Sequence, residues 1–457
     1  MTTYFARDVY LHDGWANDVR LAVNDLGTIT SVESGAITQP DDILITGPVI
    51  PAMPNCHSHA FQRAFAGLSE FRSSAQDSFW SWRKLMYQFL AQLTPEDVCT
   101  ITKQLYIEML KAGYTAVGEF HYLHNDPAGN RYDNRIVMAE QVLRASDQTG
   151  IKLTLLPVLY QYAGFGRQEP SAEQGRFILS KDEYLELYQQ LTQIQSPHRL
   201  KVGIAPHSLR AVDVTDISRL LAEITGDTLC HIHIAEQRPE VEQSVNYSGL
   251  RPIEYLFANV EVDSRWSLIH ATHLIDSEIS AIKQSGAVVG ICPTTEASLG
   301  DGIINPAVFS ANNPIRWAIG SDSHISIDPM EELRLLEYGQ RLITQQRVQI
   351  VNTENQSNGQ TLWRAAVESG AQSIGHGGML KPGCQADWVV LDSTHPALSA
   401  IDTKYLLDAV IFSNRTSNPV QDVYVNGERL IQDGTHPEEE ATLYDYTELM
   451  KRLMRTI

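Results

Sequence analysis

Cysteine is scarce here, and what there is stands alone. The five cysteines (Cys56, Cys99, Cys230, Cys292 and Cys384) are scattered over 457 residues, none in a C-x-x-C spacing. That excludes a disulfide framework and a cysteine-based zinc site, and it suits a reducing compartment such as the cytoplasm. Long apolar runs are missing too: nothing approaches the roughly 18 residues of a membrane span. Residues 1–8 lack a basic stretch followed by an apolar core, so no secretory leader is expected. Positive charge is in deficit, with 35 Lys and Arg against 55 Asp and Glu, for a net charge of −20. This argues against nucleic acid or an anionic membrane as the main partner. It leaves room for an anionic small molecule held by a few local arginines. Low-complexity segments are absent as well. The remainder is ordinary globular composition, 43% hydrophobic and 20% charged, in a chain long enough for one large domain and a smaller one.

What the chain does have is rhythm. Eight short β-branched or apolar runs, at 49–53, 115–120, 152–159, 200–205, 228–234, 267–270, 287–292 and 317–320, alternate with helical patterns. One helix is well delimited: Thr94 as N-cap, Pro95 in the first position, Glu96 and Asp97 in the first turn, and Gly113 as the stop. Eight alternations predict an α/β fold, a (β/α)8 TIM-like barrel whose site gathers at the C-terminal strand ends. The flanks read as short strands broken by Asp/Gly turns, with a hairpin signal at Asn426-Gly427. The expected organisation is a composite β-sandwich domain from residues 1–50 and 376–457 around a catalytic barrel over 51–375.

Polar groups cluster at the predicted strand ends. Residues 51–60 read Pro-Ala-Met-Pro-Asn-Cys-His-Ser-His-Ala. In a strand His57 and His59 share a face about 7 Å apart and can converge on one ion. Cys56 would alternate away as a small core residue. Cys230-His231-Ile232-His233-Ile234-Ala235-Glu236 ends the fifth strand. There His233 lies nearer the C-terminal end than His231, and Glu236 falls on the loop. His270 ends the sixth strand, Asp322 the eighth, and Glu119 and His121 the second. Each alone is ordinary: a lone histidine is structural, Asp322 an N-cap, Glu236 a surface acid. Together, three histidines and a carboxylate suit zinc or a similar divalent ion with an open position for water. A glutamate off the metal can carry that water's proton to a leaving group, and Glu236 is so placed. His270 can hold or polarise the attacked group. His121, His231, His273 and His324 read as supporting or structural.

These residues resemble the amidohydrolase superfamily: a proline-rich strand end with H-x-H, then H-x-x-E, a lone histidine, and Ser-Asp, with a Gly383-x-x-Ala386-Asp387 segment. Ala205-Pro206-His207-Ser208-Leu209-Arg210 stands where two-metal members carry a lysine, which points to the one-metal deaminase branch. The run 53–64, with Phe79-Trp80-Ser81-Trp82-Arg83 and Glu119-Phe120-His121-Tyr122, resembles the formimidoylglutamate deiminase family of bacterial histidine breakdown over essentially the whole chain. The resemblance implies one zinc ion per subunit on His57, His59, His233 and Asp322. It implies a catalytic group of Glu236, His270 and Asp322, and substrate-binding positions Gln62, Arg83, Tyr122, His207 and Arg210. It further implies a small-molecule substrate with two carboxylates, N-formimino-L-glutamate, hydrolysed to N-formyl-L-glutamate and ammonia, and a homodimer. Arg83 and Arg210 can each clamp a carboxylate through a bidentate fork. Two other readings stay open. One is the same fold deaminating a heterocycle such as guanine, with no need of both arginines. The other is a non-catalytic barrel, which usually loses a ligand or the acid.

Overall fold

The structure is a computed structural model that describes residues 1–457 except 69, 71–78, 225, 311–313, 353–355, 414–416 and 456–457; side chains are not described at 79–82 and 84. Its centre is a ring of parallel strands. One arc runs from the first barrel strand, Met53–Ser58, through Tyr114–His121 and Lys152–Leu159 to a fourth strand in two pieces, Leu200–Val202 and Ala205–Pro206. The other arc runs Cys230–Ile234, Trp266–His270, Val288–Ile291 and Arg316–Ile319. Parallel bridges Ile204–Cys230 and Ser208–His233 join the arcs on one side, and Ser58–Asp322 joins them on the other. The eight-stranded TIM-type barrel expected from the rhythm is therefore closed. The bridges at Ser58 and Ser208 already involve site residues.

Two strands depart from the expected limits. The run at 49–53 divides at Ala52: Val49–Pro51 pairs with strands of the terminal sheet, and the barrel strand starts at Met53. Hydrophobicity does not separate the two, because both are buried. The fourth strand breaks at Gly203, where a Cβ would come 2.7 Å from Leu156 Cδ2 and 2.8 Å from the Leu229 carbonyl oxygen. Only glycine allows that approach. The helix Pro95–Ala112 forms as its signals predict. Thr94 and Asp97 make a reciprocal capping box, and Gly113 closes the helix at φ 99°.

The two ends of the chain share one eight-stranded sheet, in the order Glu428–Ile431, Val420–Val425, Trp388–Leu391, Val49–Pro51, Thr2–Leu11, Gly14–Val23, Ile29–Glu33, with Ile43–Ile45 beside Thr2–Leu11. It rolls on itself, since Thr28 bridges Gln385 and the Tyr4 ring meets Trp388 edge-on at 4.9 Å. The Asn426-Gly427 hairpin forms with positive φ at both residues, 52° and 81°. The C-terminal helix Glu439–Leu453 leaves the sheet and packs on the barrel helix Pro95–Ala112, where Arg452 pairs with Asp97 and Lys111 with Glu439.

Barrel and sheet are joined by a buried ion pair. Lys152 opens the third strand and pairs with Asp387; Asp387 Oδ1 also accepts the Asn426 amide at 2.8 Å. Burial lowers the Lys152 pKa, an effect the Asp387 charge opposes. Asp387→Ala would strand a buried ammonium and is expected to cost about 3–5 kcal/mol. Urea unfolding checks this. A loss under about 1 kcal/mol would mean that the pair is dispensable.

Candidate metal centre and substrate cavity

Four buried side chains converge at the C-terminal mouth of the barrel. The Nε2 atoms of His57 and His59 are 3.1 Å apart, those of His57 and His233 3.0 Å, and those of His59 and His233 3.3 Å. Asp322 Oδ1 lies 3.6 Å from His57 Nε2 and 3.3 Å from His59 Nε2. His57 ends the first strand, His59 follows it, His233 lies on the fifth, and Asp322 sits three residues past the eighth. Asp322 reaches the group because its loop pairs with the first strand: its amide donates to the His57 carbonyl at 3.1 Å, and its carbonyl accepts from the His59 amide at 3.2 Å.

The donor chemistry fits a divalent cation. His59 Nδ1–H donates to the Phe120 carbonyl at 3.0 Å, and His233 Nδ1–H to the His207 carbonyl at 3.1 Å. Both rings thus turn an Nε2 lone pair inward. Burial holds His57 and His233 well below the usual histidine range and His59 at about 3, so the imidazoles are neutral. Three lone pairs and a carboxylate oxygen at this separation repel one another unless a cation lies among them. Donors about 2.0–2.1 Å from a tetrahedral ion are themselves roughly 3.3 Å apart, close to the spacing here.

Glu236 and His270 stand next to this group. His270 Nε2 is 3.9 Å from Glu236 Oε1 and 3.7 Å from Asp322 Oδ2. Burial lowers the His270 pKa, but the carboxylates of Glu236, Glu296 and Asp322 outweigh it and push the ring up to about 10. Burial pushes the Asp322 carboxyl up to about 7, with His270 acting in the opposite sense. The backbone is strained at these strand ends: Ala235, His270, Ala271, Asp322 and His324 all have φ between 47° and 69°. Non-glycine residues held in the left-handed region mark places where geometry has been fixed against local preference.

One cavity opens onto the cluster, and every expected substrate-binding residue lines it: Gln62, Arg83, Tyr122, His207 and Arg210, beside Glu236 and His270. Gln62 Nε2 donates to the Tyr122 hydroxyl at 3.0 Å. Arg83 donates from Nε to the Tyr87 hydroxyl at 2.6 Å and from a terminal nitrogen to the Tyr160 hydroxyl at 3.2 Å. Of the run Phe79–Arg83 only Arg83 has a described side chain; the others lie outside the described residues. Arg210 lies 3.6 Å from Glu236 Oε2. Burial opposes its charge, but Glu240 and Glu236 hold its pKa up.

The other histidines take supporting places. His231 donates from Nε2 to the Ser373 carbonyl at 2.9 Å, and His121 meets His124 edge-on. His324 joins a chain behind the ligands: its Nε2–H donates to Ser58 Oγ at 3.3 Å, and Ser58 donates to Glu119 Oε2 at 2.5 Å. Glu119 also accepts the Ala60 amide at 2.6 Å, which ties the second strand to the H-x-H segment. Cys56 is buried with Ala116, Val288, Ala318 and Ile374. Strand pairing slips between Asn55 and Ser58, so simple alternation does not hold there. A Cβ at Gly290 on the seventh strand would come within 3.3 Å of Cys56 Sγ. The sequence reading missed Tyr87, Tyr160 and Phe177, which line the cavity, and Glu296, which touches His270. Glu296 had a positional signal, being near the end of the seventh strand. The tyrosines had none.

Comparison with known proteins agrees with this geometry. The amidohydrolase family profile matches residues 49–430, so the chain belongs to the amidohydrolase family. Within it the match narrows to the formimidoylglutamate deiminases. The profile of the formimidoylglutamate deiminase HutF N-terminal domain covers residues 1–44. The formimidoylglutamate deiminase of Pseudomonas aeruginosa is 44% identical over 455 residues, 99% of this chain and 100% of that one. More distant is the 5-methylthioadenosine/S-adenosylhomocysteine deaminase of Thermodesulfovibrio yellowstonii, 24% identical over 85% of this chain and 81% of its own length. A crystal structure of an amidohydrolase from Brucella melitensis superposes with a TM-score of 0.92 at 39% identity, covering 99% of this chain and 100% of that one. An adenosine deaminase from Xanthomonas campestris, with bound zinc, shares the fold at TM-score 0.80 and 22% identity, covering 100% of this chain and 99% of that one. Among the described residues no helix is long and apolar enough to cross a membrane.

Proposed function

We propose that this enzyme hydrolyses N-formimino-L-glutamate to N-formyl-L-glutamate and ammonia in histidine degradation. The observation that carries the reading is a single cavity in which the four-ligand cluster, Glu236 and two arginines meet. The full-length relative from Pseudomonas aeruginosa supports the same substrate. His57, His59, His233 and Asp322 would hold the metal, which we take to be one zinc ion per subunit. Such an ion supplies Lewis acidity and brings the pKa of a water in the cavity toward neutral.

The chain's own residues then move protons. Glu236 accepts a proton from water, and the oxygen bonds to the formimino carbon while the C=N π pair moves to the terminal nitrogen. His270 and Asp322 orient that oxygen. Glu236 returns its proton to the terminal nitrogen, and the C–N bond breaks with its electron pair leaving on ammonia. The carbonyl forms as the hydroxyl proton passes to Glu236 and on to ammonia, so the products are N-formyl-L-glutamate and ammonium.

The arginines divide the two carboxylates. Arg210 stands beside Glu236 and so nearest the reacting carbon, which suits the α-carboxylate. Arg83, held by Tyr87 and Tyr160, suits the distal one. Each hydroxyl accepts from Arg83 and keeps its own proton to donate. Charge-assisted hydrogen bonds of this kind contribute about 1.5–3 kcal/mol, so Arg210→Ala should lower kcat/KM about 10–100-fold. Zinc content and ammonia release on the purified protein test the whole reading, with guanine and adenosine giving no ammonia in the same assay. Release from guanine and none from N-formimino-L-glutamate would overturn it. A homodimer and a cytoplasmic location go with the reading. The cysteines are free, as a reducing compartment requires, and light scattering checks the dimer.

A further inference from the structure

Behind His270, on the side away from the cavity, lies a carboxylate with no part in the chemistry set out so far. Glu296 stands in the short helix Pro293–Leu299, just past the seventh strand. It is buried and does not line the cavity, whereas His270 does. Its Oε1 accepts two hydrogen bonds, from His270 Nδ1–H at 3.2 Å and from the Cys292 amide at 2.8 Å. Its backbone is pinned at both ends: its amide donates to the Cys292 carbonyl at 2.9 Å, and its carbonyl accepts from the Asp301 amide at 2.9 Å. Such a carboxylate cannot swing away from the ring it touches.

The consequence for His270 is directional. With Nδ1–H committed to Glu296, the other ring nitrogen points into the gap between Glu236 Oε1 and Asp322 Oδ2. A flip of the ring would set a carbon against the buried carboxylate and leave it with an unmet demand for a donor. The backbone alone does not fix this orientation, because His270 and Ala271 lie at φ 69° and 47°, a conformation that the local sequence does not favour. We propose that Glu296 is a positioning residue for the reaction: it holds the His270 ring so that Nε2 faces the water attacking the formimino carbon. The proposal rests on the deimination reading above. It gives the seventh strand end, otherwise without chemistry, a share in the site.

A purely structural role is the rival account, since Glu296 also steadies the start of its helix through Cys292. A double-mutant cycle with His270 separates the two. Glu296→Ala is expected to lower kcat about 10–100-fold, with KM within about threefold and metal content unchanged. In a His270→Ala background the same change should cost less than about twofold, because the group it acts through is gone. Glu296→Gln keeps an oxygen for both donors and should recover most of the loss. The metal-free protein supplies a readout independent of turnover. A downfield ring N–H proton assigned to His270 by selective histidine labelling should be present in the wild type and absent from Glu296→Ala. Equal losses in both backgrounds, or a fall in metal content that tracks the fall in rate, would overturn the proposal. So would absence of that proton from the wild type, which decides the matter even if Glu296→Ala does not fold. If the wild type releases no ammonia from N-formimino-L-glutamate, the deimination reading fails, and the proton signal still judges the Glu296–His270 link.

Discussion

Glu236→Gln is expected to keep its metal and lose turnover by about 10³-fold. Glutamine preserves the volume and one carbonyl-type oxygen, so the cavity and the ligands two strands away have no cause to rearrange. What it cannot do is accept a proton from water or return one to the departing nitrogen. The ion pair with Arg210 at 3.6 Å sharpens the expectation. Losing the Glu236 charge leaves Arg210 facing fewer carboxylates, so affinity for a dicarboxylate should hold or rise while kcat falls. A change confined to kcat marks a group that acts in the transition state; a matching rise in KM would mark a binding group instead. Ammonia release, metal analysis and the inhibition constant of a non-hydrolysable dicarboxylate measured on one preparation decide it. Turnover within tenfold of wild type would remove Glu236 from the mechanism.

Much of this site could be read from the sequence because its chemistry lies at strand ends that the βα rhythm already locates. His57, His233, His270 and Asp322 are histidines and an acid where a barrel has no structural need for them. The flank after His59 narrowed the family further. What could not be read depends on contacts between segments far apart in the chain. Glu296 is one acid among 55 Asp and Glu, and only the fold turns it toward His270. Tyr87 and Tyr160 reach Arg83 from a helix and a strand end 77 residues or fewer away from it, with nothing in local pattern to announce the meeting. The division of the run at 49–53 is illegible for a related reason. Both halves are fully buried, so hydrophobicity carries no mark of which sheet each joins. The slip in pairing between Asn55 and Ser58 is invisible to a two-residue period, yet it lets His57 and His59 face the cluster while Cys56 still finds a packed environment.

The metal itself gives the other large effect. A chelator-stripped protein should release no measurable ammonia and should unfold at lower denaturant, and stoichiometric zinc should restore both. Turnover falls because uncoordinated water, with a pKa near 15.7 against about 7 beside such an ion, offers Glu236 almost no removable proton at neutral pH. Stability falls because the ion binds the folded chain far more tightly than the unfolded one. At a free concentration 1,000-fold above Kd that linkage amounts to about 4 kcal/mol. Four donors brought within 4.8 Å of one another make the folded state the tighter binder. His233→Ala should reproduce both effects without a chelator. It removes a ligand and also the Nδ1–H bond to the His207 carbonyl, which ties the cluster to the cavity wall. Metal content, urea midpoint and ammonia release should therefore fall together in this variant, whereas in Glu236→Gln only the last should fall. Wild-type turnover from protein carrying less than about a tenth of an equivalent of metal would contradict the assignment, because the full rate would then be running without the Lewis acid on which the lowered water pKa depends.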